Sequence, residues 1–211
     1  MSDPAGGRTL VLASGNEGKL RELGAMLEPL GWRVRPQGDW GIEEAVEDGL
    51  SFIENALIKA RHAARATGLP ALGDDSGLVV DALEGQPGIR SSRYAGDSAG
   101  DEANNRKLLQ ALAGLPAERR SAHFYCAMAL VRHAADPAPL LATGKWRGRI
   151  LEEPAGDGGF GYDPLFWVVE EGCSSAQLTA ERKNRLSHRG QALAALLRQM
   201  EGELQNRVPG P

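Results

Sequence analysis

Leu69-Pro70-Ala71-Leu72-Gly73-Asp74-Asp75-Ser76-Gly77-Leu78-Val79-Val80 sets two adjacent carboxylates and a hydroxyl between glycines, with a short apolar run on each side. The flanking runs, 69–72 and 78–80, read as buried strand ends. Asp, Ser and Gly are standard turn residues, so the segment alone reads first as a polar turn. If it lies instead where a strand leaves a sheet, successive side chains point to opposite faces. One carboxylate then faces a cleft and the other turns back into the scaffold. A carboxylate in a cleft can hold a hard cation through oxygen or take a proton from water.

Upstream, strand and helix signals alternate. The compact apolar run 9–13 ends at Ser14-Gly15-Asn16-Glu17-Gly18-Lys19, and Leu20, Leu23, Leu27 and Leu30 follow at helical spacing up to Gly31. Strand, Gly-containing loop and helix is an arrangement in which backbone N–H groups and a helix N-terminus hold an anion. The spacing is not that of a Walker A loop, since Leu20 stands where Ser or Thr would follow the lysine. A generic strand-to-helix turn explains the stretch equally well. A second strand is expected over 32–35, ended by Pro36. The acidic stretch Glu43, Glu44, Glu47 and Asp48 reads on its own as a solvated face. Ser51 and Glu54 then form a capping box for a helix bearing Phe52, Ala56, Ala60 and Ala63, stopped by Gly68 and Pro70. The acidic stretch therefore precedes a helix N-terminus and lies near Asp74 and Asp75 in sequence. Carboxylates from these two places can share one Mg²⁺.

Downstream, 101–113 reads as a helix with Leu108, Leu109 and Leu112 inward. Residues 122–132 and 140–150 read as a hairpin across Asp136-Pro137-Ala138-Pro139. An antiparallel pair after parallel βαβ units makes the sheet mixed. Gly156-Asp157-Gly158-Gly159-Phe160-Gly161-Tyr162-Asp163-Pro164 is glycine-dense enough for a backbone to run close to a ligand. Phe160 can offer a ring face to a base, or the loop is a hairpin whose aromatics pack on a strand over 165–169. Ser187-His188-Arg189-Gly190 opens a last helix with Leu193, Leu196, Leu197 and Met200 on one face. A lone histidine at such an entrance reads as a cap or a surface residue.

Composition bounds the class. With 211 residues, 42% hydrophobic and 25% charged, the chain suits a soluble globular protein of one large domain or two small lobes. A net charge of −4 argues against a partner that is a nucleic acid polymer, yet leaves room for a nucleotide held by a local basic cluster. Cys126 and Cys173 have no metal or redox spacing and suit a reduced compartment, one in the core and one in a loop. Residues 1–8 carry no apolar signal region, and no apolar run approaches a membrane span. A cytoplasmic location is expected.

In this order the motifs resemble one family. They are Ser-Gly-Asn-x-x-Lys at 14–19, Glu-Asp-Gly-Leu-Ser-Phe-x-Glu-Asn-Ala at 47–56, Lys59-Ala60, and Asp-Asp-Ser-Gly-Leu at 74–78. Pro-Gly-x-x-Ser-x-Arg-Tyr at 87–94, Gly-Gly-Phe-Gly-Tyr-Asp-Pro at 158–164 and Ser-His-Arg-Gly at 187–190 complete the set. The chain resembles the inosine/xanthosine triphosphate pyrophosphatases from about residue 10 to 197. Ser92, where alanine is commoner, is a slight departure. The resemblance implies an elongated α/β protein with a mixed sheet, flanking helices and two lobes around a central nucleotide-binding cleft. A single domain over 1–203, a frayed tail over 204–211 and a homodimer are expected with it. The implied reaction is Mg²⁺-dependent hydrolysis of ITP, dITP or XTP to the monophosphate and pyrophosphate. By the same resemblance, Ser14, Gly15, Asn16, Glu17, Gly18 and Lys19 hold the phosphates, and Asp75 is the general base. Asp75 and Glu47 bind the metal, with Asp74 and Glu44 as alternatives. Ser76, Phe160, Gly161, Tyr162, Asp163, Lys183, His188 and Arg189 line the nucleotide site. A haloacid-dehalogenase-like phosphatase needs Asp-x-Asp, whereas here the pair is adjacent. A non-catalytic nucleotide sensor would turn over nothing. The Maf-like pyrophosphatases share the general architecture, but the Gly-Gly-Phe-Gly-Tyr-Asp and Ser-His-Arg motifs favour the purine family.

Overall fold

A helical crossover returns the chain to the end of the sheet it left, so strands joined through helices pair in parallel. The computed structural model describes residues 8–205 and follows this rule in its first part. Strands β1 (Arg8–Leu12), β2 (Trp32–Pro36) and β3 (Ala71–Val80) are linked through helices α1 (Glu17–Leu27) and α2 (Phe52–Thr67), and β1 runs parallel to both neighbours. Helix α3 (Asp101–Ala111), strands β4 (Ser121–Val131), β5 (Leu140–Ile150), β6 (Phe166–Val168) and β7 (Cys173–Ser174), and helices α4 (Ala180–Leu186) and α5 (His188–Gln205) follow. Among the described residues the strands form one mixed sheet in the order β2-β1-β3-β4-β5-β6-β7. The β6 strand is antiparallel to both β5 and β7. The chain is thus α/β with a mixed sheet, as expected.

The polar turn read at 73–77 is overturned, because β3 passes through Asp74 and Asp75 without a break. A buried strand tolerates two carboxylates only where donors meet them, and here lysines from α1 and α2 do so. Leu30, expected on the buried face of the first helix, is 53% exposed. The α-helix ends at Leu27 and a 3₁₀ turn containing Pro29 rotates Leu30 outward. The short helix α4 was not foreseen, since its sequence is almost wholly polar. Helix α5 continues to Gln205; the remainder of the expected tail, 206–211, and residues 1–7 lie outside the described residues.

The chain divides into two compact units. The first comprises the described parts of Met1–Asp75, Ala127–Thr143 and Ala192–Pro211. Its buried residues include Leu10, Val11 and Leu12 of β1, Leu23 of α1, Ala56, Ala60 and Ala63 of α2, and Leu193 and Leu196 of α5. The second comprises Ser76–Cys126 and Gly144–Gln191, with a core of Leu78, Leu108, Leu112, Phe124, Trp146, Tyr162, Leu165 and Phe166 among others. Cys126 is buried and Cys173 half-buried, both as free thiols. Among the described residues no helix is long and apolar enough to cross a membrane.

Candidate functional site

Strand alternation puts Gly73 and Asp75 on one side of β3 and Asp74 on the other. A Cβ at Gly73 would collide with the Ala56 carbonyl oxygen and come within 3.0 Å of Ala60 N, so glycine is what lets α2 lie directly on the strand. That close approach brings the next turn of α2 to Asp75. Lys59 Nζ stands 2.7 Å from Asp75 Oδ1, and Asn55 Nδ2 donates to Asp75 Oδ2 at 3.2 Å. The same Nζ is 3.2 Å from Glu47 Oε1. Two carboxylates from separate segments therefore converge on one cationic atom. Asn55 also accepts from Gly49 N at 2.9 Å, which ties the end of the Glu47 segment to the base of α2.

Asp75 is only 5% exposed, and burial pushes its carboxyl above the ordinary range, against the pull of Lys59 and Lys19. Burial works against the Lys59 ammonium too, but the attraction of Asp75 and Glu47 outweighs it and holds its pKa above the usual lysine value. One ammonium thus serves two carboxylates, and Asp75 carries the uncompensated share of the desolvation.

On the opposite side of β3, Lys19 Nζ pairs with Asp74 Oδ1 at 2.6 Å and donates to the Asp74 carbonyl at 2.9 Å. Asp74 thus pairs with Lys19, while Asp75 and Glu47 both reach Lys59. Lys19 sits in the first turn of α1. Asn16 caps that helix by accepting from Lys19 N at 3.0 Å, and Ser14 Oγ accepts from Asn16 N at 3.1 Å. Gly15 N lies 3.4 Å from Glu44 Oε1, so a carboxylate rests against the loop's N–H group. Glu17 and Gly18 occupy the first turn, where backbone N–H groups lack helical partners. The stretch 14–19 thus combines first-turn N–H groups with the Lys19 ammonium, and carboxylates of Glu44 and Asp74 rest against it.

A second cluster belongs to the second unit. Asp163 is buried, and its Oδ2 accepts from Lys183 Nζ at 2.7 Å and from Phe160 N at 2.9 Å. Its Oδ1 accepts from Ser175 Oγ at 2.8 Å. Gly159 has φ +77°, and a Cβ there would run into Asp163 Oδ2. The folded loop presents Phe160 with Lys183 Nζ 4.8 Å and Arg189 Cζ 5.7 Å from its ring centroid. The ring thus meets cations rather than a following strand. Arg189 is 2% exposed, and its Nη2 donates to Ser76 Oγ at 3.0 Å.

Of the expected lining residues, Tyr162 and Asp163 are both buried. Tyr162 is buried in the core with its hydroxyl donating to the Ser91 carbonyl at 2.8 Å, and burial pushes its phenol up. Asp163 accepts from both Phe160 N and Lys183 Nζ. His188 is neither a surface residue nor an exposed cap: it is buried and stacks on Phe124 with centroids 4.8 Å apart. Sequence reasoning quoted Asn55 and Lys59 within motifs and gave them no chemistry. The available signal was a lysine and an asparagine on the alanine face of an amphipathic helix, where polar side chains need a reason.

The Ham1 family model matches residues 10–199. The chain is 59% identical to a dITP/XTP pyrophosphatase of Xanthomonas oryzae, covering 89% of this chain and 94% of the relative. It is 52% identical to one of Vibrio parahaemolyticus, covering 93% and 98%. It is also similar to a solved HAM1 protein from Coxiella burnetii, at 46% identity and a TM-score of 0.83, over 94% of this chain and 98% of that one. Sequence and fold agree along nearly the whole described chain: it belongs to the Ham1 family.

Proposed function

We propose that the protein hydrolyses deaminated purine nucleoside triphosphates, ITP, dITP and XTP, to the monophosphate and pyrophosphate. The observation that carries the chemistry is Asp75: a buried carboxylate with raised basicity, held on both oxygens by Lys59 and Asn55 beside Glu47. A base tuned upward by burial takes up a proton more readily than an ordinary carboxylate. The names of the relatives as dITP/XTP pyrophosphatases support the substrate class.

In this reading Asp75 takes a proton from the water whose oxygen bonds to the α-phosphorus, while the bond from that phosphorus to the bridging oxygen breaks and pyrophosphate leaves. Lys59 keeps Asp75 ionised and aligned. Lys19 and the N–H groups of 14–18 offset charge on the phosphates. Glu47 and Asp75, which share Lys59 here, are the oxygen donors that would hold a divalent cation such as Mg²⁺, since that ion takes few protein ligands beside water and phosphate oxygens. When bound there it would neutralise developing charge on the phosphates.

The second cluster is assigned to the base. Phe160 supplies stacking, which does not depend on base identity. Arg189 has only donors to offer, matching the six-oxo acceptor of hypoxanthine and xanthine and leaving adenine's amino group unmatched. Lys183, paired with Asp163, is a second donor nearby. The same reading carries the homodimer and the cytoplasmic location implied by the resemblance, and light scattering tests the former. A nucleotide panel with and without Mg²⁺, with pyrophosphate and orthophosphate measured separately, tests the whole. Pyrophosphate from ITP and XTP in excess of ATP is the expected result. Orthophosphate as the first product, or no turnover, overturns it.

A further inference from the structure

The geometry points to Asp101, assisted by Asn105, as the positioning residue that fixes the Phe160 ring for base stacking. This inference rests on the nucleotide reading above. Phe160 sits between Gly159 and Gly161, so neither neighbour brings a side chain to wedge it in place. The next residue, Gly161, is held by α3 at both its N–H and its carbonyl. Its N–H donates to Asp101 Oδ2 at 2.6 Å, and its carbonyl accepts from Asn105 Nδ2 at 2.9 Å. Asp101 and Asn105 are four residues apart on α3 and so share a helix face.

On the α3 side, packing leaves a gap. A pocket of about 490 Å³ opens where the loop meets α3, lined by Leu109, Pro154, Gly158, Phe160 and Pro164 among others. With open space on that side, the loop's position depends on directional bonds. The Asp101 contact is charge-assisted and short, hence the stronger of the two. Asn105 Oδ1 is buried with no hydrogen-bond partner among the described residues, a cost accepted while Nδ2 reaches Gly161. Asp163 restrains the loop at Phe160 N, one residue earlier. Held at successive amides by Asp163 and Asp101, the backbone fixes where the Phe160 side chain leaves the loop.

Asp101 also begins α3, where any acid is favourable near the helix N-terminus. The test therefore separates positioning from helix stability. Asp101→Ala, Asp101→Asn and Asn105→Ala are compared with the wild-type protein by amide hydrogen exchange and by steady-state kinetics on ITP. Asp101→Ala is expected to speed exchange at the Gly161 amide and to raise KM about tenfold with kcat nearly unchanged. Asp101→Asn, which keeps an acceptor oxygen, restores most of both. Asn105→Ala shows a smaller rise in KM. Unchanged exchange at Gly161, faster exchange throughout α3, a fall in kcat at constant KM, or no rescue by asparagine each overturns the assignment. If the wild-type protein hydrolyses no purine triphosphate, the proposed function fails, and the exchange data still decide whether Asp101 holds the loop.

Discussion

Replacing Lys59 by glutamine removes the one charge shared by Asp75 and Glu47 while keeping a donor of similar length. At the observed 2.7 Å, the attraction between Lys59 and Asp75 is about 1.5 kcal/mol with water-like screening and about 6 kcal/mol at an effective dielectric constant of about 20. Burial already raises the Asp75 carboxyl, and Lys59 is the main force opposing that rise. Its loss therefore moves Asp75 further up. Since one pKa unit corresponds to about 1.4 kcal/mol, the acid limb of kcat/KM should move to higher pH by at least about one unit. The stability change has its own sign. Lys59 is held above its unfolded value, so its contribution is fully present below the ordinary lysine pKa and is lost as pH rises through the folded one. Lys59→Gln is thus less stable than wild type at neutral pH, and the difference closes only in strong alkali. The assay is a pH–rate profile on ITP with both proteins checked for native circular dichroism. An acid limb that stays in place or moves down in a folded Lys59→Gln protein would refute the coupling.

Asp75→Asn should lower turnover by about 10²–10⁴-fold while the fold survives. Because the folded pKa of Asp75 is raised, its contribution to stability is present in acid and lost as pH climbs through that pKa, a loss the asparagine variant escapes. Its Tm relative to wild type should therefore rise from acid to neutral pH, and a constant or falling difference would contradict the burial argument. Gly73→Ala drives a methyl into the Ala56 carbonyl and should destabilise by about 3 kcal/mol or more in denaturant unfolding; a change under about 1 kcal/mol would mean α2 can move freely. Arg189→Ala should lose most of an ITP-over-ATP preference that can reach about 10⁴-fold, whereas Phe160→Ala weakens both nucleotides alike. An unchanged ratio in Arg189→Ala would pass the six-oxo contact to Lys183.

Local physics made much of this protein legible in its sequence. Ser51 and Glu54 mark the start of α2 and Gly68 its end, because capping and left-handed termination are decided within a few residues. The helical spacing of Leu20, Leu23 and Leu27, and the bounds of the 140–150 strand, follow from short-range periodicity in the same way. The ordered motifs, from Ser14-Gly15-Asn16 to Ser187-His188-Arg189, named the family. Tertiary structure alone decided what contacts what. Asp74-Asp75 has the local chemistry of a turn, and becomes mid-strand only because α1 and α2 bring lysines to its two sides. Lys59 and Asn55 show no chemistry in isolation, since they acquire it from Asp75, sixteen and twenty residues away. That Tyr162 reaches the Ser91 carbonyl and Asp163 accepts from Phe160 N and Lys183 Nζ is likewise decided by the fold and not by neighbours along the chain. Periodicity and caps are properties of neighbours along the chain, whereas desolvation and charge pairing arise only when distant segments meet.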